Sequence, residues 1–428
     1  MEMTAIGIIA TICFACALIQ SLRAGKILAL SDYYKTTRPS WSRFLHFAGE
    51  PEIVFGIWAA IFLFALMVMD GFSAGLHWMD ELNFSEVAFV FVIMILASSK
   101  PVTDFAEMII SGISRALPLP AGMRIYATIL FIGPLLGSLI TEPAAMTIAA
   151  LLLKRSVFKP LSGRISGRLF YSTLAVLFVN ISIGGTLTHF AAPPVLMVAR
   201  VWNWDTPYMF MNFGWKAAVA AAINTAIVTM MNKEILTSIK KVSGVAHAPA
   251  KRAPAWIIVV HLIFITLCVT SVHHPAFVLG LFIFFLGFYG ITKEEQSEVR
   301  IEESMLVGFF LGGLVILTAK QGWWLKPILS SIENLQLFLG TMALAPVTDN
   351  AAITSLASQV ANLSDSSKYL VVAAAVAGGG MTIIANAPNP AGFALLRAYC
   401  PGKSFKPLGL FKAALIPTFV AGLVFYLL

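Results

Sequence analysis

Thr141-Glu142-Pro143-Ala144-Ala145-Met146-Thr147 places an acidic residue inside a long apolar run, and Thr348-Asp349-Asn350-Ala351-Ala352-Ile353-Thr354 repeats the pattern in the second half of the chain. Each copy is followed by a glycine pair and, eight residues after the second glycine, a proline: Gly184-Gly185 then Pro193, and Gly379-Gly380 then Pro388. Upstream, one apolar run ends in Ser99-Lys100 and its counterpart in Ala319-Lys320. The landmarks keep the same order in both halves. This reads as a duplicated membrane protein that carries its polar chemistry at two matched sites.

Composition points the same way. The chain is 58% hydrophobic and 12% charged, with 32 Phe and a mean hydropathy of +0.85. A soluble protein carries about twice that charged fraction. Repeated apolar runs near bilayer length make this an all-α polytopic membrane protein. Cys13, Cys16, Cys268 and Cys400 lie in or beside apolar stretches, without metal-ligand or disulfide spacing, and read as small hydrophobes.

The expected spans are 4–20, 53–69, 87–100, 169–201, 214–231, 255–272, 276–290, 304–320, 369–397 and 409–427, about ten in all. With the N-terminus outside, all but five of the 29 Lys and Arg fall at inner ends or in inner loops; the five are Arg200, Lys216, Lys320, Lys326 and Lys368. That partition is the positive-inside rule, so the +8 net charge orients the protein and implies no nucleic acid. The first span has no basic residue before it and basic residues after it, which reads as an uncleaved anchor.

Two apolar segments do not behave as simple spans. Residues 125–153 are broken by Gly133-Pro134, Gly137-Ser138 and Thr141-Glu142-Pro143, with Arg124 and Lys154-Arg155 on both flanks. Positive flanks at both ends predict a re-entrant hairpin that enters and leaves on the inner face. Residues 327–361 read as its counterpart from the outer face, with Pro346 and Asp349-Asn350 at the tip. Irregular backbone at membrane depth survives only where it lines protein or a watery cavity. Segments 169–201 and 369–397 are too long and too broken for one regular helix, because Gly and Pro unwind it and free backbone groups. Opposite orientation of matched elements gives two inverted repeats: 1–235 and 255–428, joined by a basic cytoplasmic linker at 236–254. Such an arrangement characterises secondary transporters.

Paired hairpins, paired broken helices and the stretch Gly184-Gly185-Thr186-Leu187-Thr188-His189-Phe190-Ala191-Ala192-Pro193-Pro194 resemble the ion transporter superfamily. That group includes NhaD-type sodium/proton antiporters, arsenite permeases, and divalent-anion and citrate carriers. Within it, the tips most resemble the bacterial family known as putative sodium/proton antiporters. Anion carriers of the superfamily typically have Ser-Asn-Thr at the tips, whereas this chain has Thr141-Glu142-Pro143 and Thr348-Asp349-Asn350. The resemblance implies a secondary transporter of the bacterial inner membrane, a homodimer, with no cofactor beyond the transported sodium and protons. It also implies an ion site built from Glu142, Asp349, Thr141, Thr348, Asn350, Gly184, Gly185, Thr186, Thr188, His189, Gly379, Gly380, Thr382, Asn386 and Asn389, with sodium on Glu142 and Asp349.

Charge physics agrees. An ionisable residue at mid-membrane costs at least about 2.5–3.5 kcal/mol and marks an ion path. Two convergent carboxylates would neutralise sodium when loaded and repel one another when empty, so that protons compete with the cation. An anionic substrate would meet the wrong sign of charge; proton- or sodium-coupled transport of a dicarboxylate or arsenite-like anion is the alternative. Other readings stand beside these roles. Glu142 and Asp349 could be buried helix caps, His189 either a satisfied or a titrating histidine, and Asn386 and Asn389 either ligands or partners of unwound backbone. Asp104 and Glu107 read as a solvated face. An enzyme is not expected: His-x-x-x-His and Asp-Asp-x-x-Asp are absent.

Overall fold

The computed structural model describes residues 4–239, 252–272, 274–299, 301–403 and 405–428, and among these there are helices and loops but no strand. Most of the expected linker, at 240–251, lies outside the described residues. The helices are α1 (Ala5–Tyr34), α2 (Pro39–Gly49), α3 (Pro51–Asp70), α4 (Phe72–Glu81), α5 (Ser85–Ala97), α6 (Lys100–Ala116), α7 (Ala121–Ile140), α8 (Glu142–Leu153), α9 (Gly167–Gly184), α10 (Pro193–Ala199) and α11 (Thr206–Met209). They continue as α12 (Trp215–Met231), α13 (Lys233–Thr237), α14 (Ala255–Thr270), α15 (Pro275–Thr292), α16 (Ile301–Thr318), α17 (Gly322–Ser331), α18 (Asn334–Leu344), α19 (Asn350–Ser358), α20 (Asp365–Gly378), α21 (Asn389–Leu396) and α22 (Pro407–Leu427).

Seven helices among the described residues are long and apolar enough to cross a bilayer. The count reaches nine if two bent pairs are each one span: α5 with α6, bent by 67°, and α16 with α17, bent by 78°. This is a multi-pass membrane protein. The bends fall at Ser99-Lys100 and just after Ala319-Lys320, the upstream landmarks of the sequence. Past its bend, α6 buries Val102, Ala106 and Ile110 on one side. Asp104 there is no solvated residue, because it pairs with Lys100 and accepts the Ala253 amide at 2.9 Å. Glu107 reaches Arg155 at 3.5 Å.

The first hairpin is α7 and α8, joined at Thr141, whose φ of +78° is rare for a non-glycine residue. The second is shorter than the sequence reading of 327–361. Its arms are α18 and α19, while Pro327 belongs to α17. The start of α17 is tied to α1 instead. Trp324 Nε1 donates to Gln321 at 2.8 Å and Trp323 Nε1 to Thr11 at 3.3 Å, which holds this helix against α1.

The broken segments appear as α9, interrupted from Gly185 onward and resuming as α10, and as α20, irregular from Gly379 and resuming as α21. Arm α8 of the first hairpin packs on α21, and arm α19 of the second packs on α10. Helices α9 and α20 lie side by side between them. The contact requires glycine: a Cβ on Gly380 would stand 2.3 Å from the backbone nitrogen of Val179. A buried amide network ties α7, α9, α12 and α22 together. Asn180 Nδ2 has Leu130 O, Ala221 O and Thr225 Oγ1 within 2.9–3.3 Å, and Asn224 donates to Asn180 Oδ1 at 3.0 Å and to Pro417 O at 3.2 Å.

Candidate functional site

The first hairpin tip is built by the sharp turn at Thr141, which ends α7 and lets α8 begin directly at Glu142 with Pro143 in its first turn. Proline is tolerated there because the first amides of a helix have no intrahelical acceptor. The Glu142 amide instead donates to Ala191 O, at 3.4 Å, so the tip docks on the broken stretch between α9 and α10. The Glu142 side chain has no solvent exposure. Its Oε2 accepts from Asn386 Nδ2 at 2.9 Å, and its Oε1 has no protein partner. Asn386 lies 244 residues away, on the irregular stretch between α20 and α21. Gly185 closes the space from the other side: a Cβ there would lie 2.5 Å from Glu142 Oε1.

The second tip is built differently. Asp349 is the N-cap of α19, its Oδ1 accepting the Ala351 amide at 2.7 Å. The cap reading therefore holds for this carboxylate, which is only half-buried. Asn350 is the first helical residue, and its amide donates to Ala385 O at 3.1 Å, as the Glu142 amide does to Ala191. Helix geometry thus matches Glu142 with Asn350, whereas the sequence pattern aligned it with Asp349. Asn350 Nδ2 donates to Ser182 Oγ at 3.2 Å, and Ser182 passes the contact to Val376 O at 2.7 Å. Asp349 is within electrostatic range of Glu142. It lines a small cavity, open to solvent, that also reaches Asn386.

Five side-chain oxygens of the sequence-predicted site are buried without a protein partner: Thr141 Oγ1, Glu142 Oε1, Asn350 Oδ1, Asn386 Oδ1 and Asn389 Oδ1. All five residues are at most 4% exposed. The asparagine nitrogens are engaged, Asn389 Nδ2 donating to Gly379 O at 2.8 Å and Thr382 O at 2.9 Å. Buried acceptors left without donors are costly unless something supplies positive charge. Hard oxygens of this kind, with one carboxylate among them, suit a hard cation. Among the described residues no group of three His, Cys, Asp or Glu could hold a metal ion.

The other expected residues have different partners. Thr186, Thr188, Thr348 and Thr382 donate their hydroxyls to Ile183 O, Ser138 O, Leu344 O and Pro346 O, which fixes the irregular backbone. Gly184 presses on the Pro134 carbonyl and Gly379 on Ser182 and Asn350, so both work by close approach. His189 Nδ1 pairs with Thr206 Oγ1 at 2.7 Å, and its ring meets Phe190 edge-on. Sequence reasoning missed Ser182 and Ser138. Ser138 Oγ donates to Gly184 O at 2.7 Å and accepts the Leu187 amide at 2.9 Å, clasping the break in α9. The Gly137-Ser138 interruption was the available signal for it; Ser182, inside an apolar run, offered none.

A family model described as "Putative Na+/H+ antiporter" matches residues 5–428. No curated protein matches the chain.

Proposed function

The chain belongs to that antiporter family, related to the NhaD type, and from this premise we propose that it exchanges sodium for protons with Glu142 as the group both ions share. The observation that carries the reading is the enclosed Glu142 carboxylate, held by Asn386 on one oxygen and unpartnered on the other; Thr141, Asn350, Asn386 and Asn389 each carry a further buried oxygen without a protein partner. Sodium binds the deprotonated carboxylate together with these neutral oxygens; a proton on the same carboxylate releases it. Lower pH therefore weakens apparent sodium affinity. An anion would meet acceptors only, so the electrostatics disfavour it.

Ten spans with the N-terminus outside, arranged as inverted repeats over 1–235 and 255–428, are part of the same proposal. Support comes from the matched bends after α5 and α16, the two hairpins, the two broken helices, and the crossed packing of α8 on α21 and α19 on α10. Each half then supplies one tip to a site between them, which suits alternating access in a bacterial inner membrane. The protein works as a transporter rather than an enzyme, and as the homodimer that the superfamily resemblance implies.

Sodium-22 uptake and dequenching of a pH dye in proteoliposomes, across a pH series, test this reading. Glu142→Gln keeps the shape and removes the charge, and should abolish sodium-driven proton movement while the protein still folds. Full exchange in that variant would end the mechanism, and proton-driven dicarboxylate uptake without a sodium response would establish anion transport instead.

A further inference from the structure

The hairpin of α1 and α2 carries a cationic surface that the ion site does not use. Arg23 and Lys26 lie on α1, Lys35 and Arg38 at the turn, and Arg43 on α2. All five are exposed, and among the described residues no carboxylate pairs with any of them. Asp32 is the one acidic residue between positions 21 and 49. Helix α1 has 30 residues. At about 1.5 Å each, a span begun at Ala5 exhausts a hydrocarbon layer of roughly 30 Å after about 20 residues, which sets Lys26 and the turn at headgroup level. From there α2 folds back along α1. Ser31 and Ser42 each donate to the other's carbonyl at 2.8 Å, and Gln20 Nε2 donates to Ala48 O at 2.8 Å. These bonds fix which face of α2 points away. Trp41, Phe44 and Phe47 recur every three residues along that face, each about half exposed, and Trp41 stacks on Phe44 with ring centroids 5.3 Å apart.

From this juxtaposition we propose that the hairpin is a binding surface for acidic phospholipid headgroups. The five cations meet lipid phosphates, and the aromatic ridge sinks into the boundary between headgroups and acyl chains, the depth that amphipathic aromatic and basic faces occupy. Arginine suits the first task because its planar fork pairs with phosphate oxygens. A second copy of the chain is the poorer occupant, since a symmetric interface would set the same five cations against one another. Binding is argued from the hairpin alone and does not depend on sodium exchange. The proposed orientation, with the start of α1 outside, adds only that the lipid belongs to the cytoplasmic leaflet, whose surface is negative.

The test is native mass spectrometry of the purified full-length protein, titrated with phosphatidylglycerol and with phosphatidylcholine of the same acyl chains, reading the first lipid bound. The unaltered protein should hold phosphatidylglycerol at least about tenfold more tightly. Each cation near an acidic lipid surface contributes about fivefold in affinity, so the triple variant Lys35→Gln, Arg38→Gln, Arg43→Gln should lose on the order of a hundredfold for phosphatidylglycerol and little for phosphatidylcholine. A control triple, Lys159→Gln, Lys233→Gln, Lys412→Gln, removes three exposed cations elsewhere and should leave the constant unchanged. Trp41→Ala with Phe44→Ala should weaken both lipids by a similar factor. Equal retention of the two lipids by the unaltered protein, an unchanged constant in the first triple, or the same fall in the control would each overturn the proposal. So would displacement of the lipid by millimolar inorganic phosphate, which would mark a site for a free anion.

Discussion

Gly185 is where the geometry of the proposed ion site is most exposed to a single methyl group. A Cβ at this position would stand 2.5 Å from Glu142 Oε1, 2.7 Å from its Cγ and 3.0 Å from its Cδ. Ordinary contact begins near about 3.5 Å, so Gly185→Ala forces the carboxylate back by about 1 Å. The side chain is fully enclosed and cannot swing into open space. Overpacking of this kind costs about 1–3 kcal/mol. Retreat also stretches the 2.9 Å bond from Asn386, and a hydrogen bond to a charged group is worth about 1.5–3 kcal/mol. Together the penalty is about 3 kcal/mol, a fall of roughly 5 °C in the melting midpoint, readable by thiol-reactive dye or light-scattering melts. Misplacing a liganding atom by about 1 Å can cost about 10²-fold in rate, and sodium-22 exchange in proteoliposomes should drop on that scale. Adding Glu142→Asp shortens the side chain by one methylene and should restore the midpoint without restoring exchange. Wild-type melting together with wild-type exchange in Gly185→Ala would refute the placement of Glu142 against Gly185.

Three further outcomes follow from other parts of the structure. Gly380→Ala sets a methyl group 2.3 Å from the Val179 backbone nitrogen, and backbone cannot yield as a side-chain tip can; folded yield by size-exclusion chromatography should collapse, more severely than for Gly185→Ala. Asn180→Leu removes the centre of the amide network between α7, α9, α12 and α22. At about 0.6 kcal/mol per interhelical hydrogen bond, it should lower stability by about 2 kcal/mol in detergent unfolding while sodium exchange survives in the folded fraction. Lys159→Cys, exposed just beyond the first hairpin, should react with an impermeant maleimide in inverted vesicles and stay unlabelled in intact cells; labelling from outside would reverse the proposed orientation.

The sequence by itself determined the class, the places where helices break, and most of the residues of the candidate site. Low charge and repeated apolar runs leave few options but a helical membrane protein, because a bilayer punishes unpaired backbone polar groups. The duplicated Thr-acid pattern and the Gly-Gly…Pro spacing mark interruptions, and those are local events: glycine and proline act on their own turn of helix. Hence the turn at Thr141 and the breaks after Gly184 and Gly378 lie where the sequence put them, while at Ser99-Lys100 and Ala319-Lys320, where the sequence showed only the ends of apolar runs, the structure adds bends.

What the tertiary structure decided was which side chains meet. The bond between Asn386 and Glu142 spans 244 residues, and no period or spacing encodes it. The likeness of the two motifs suggested equivalent carboxylates, yet α8 starts on Glu142 itself while α19 starts one residue after Asp349. That single-residue offset turns Glu142 into an enclosed carboxylate and Asp349 into a helix cap on a cavity wall. The short second hairpin, the Asn180 network and the role of Ser182 were equally invisible, since each depends on the neighbour that packing supplies. Helix breaks are written in the chain because they arise from local backbone chemistry; a binding site arises only where close-packed helices bring separate breaks together.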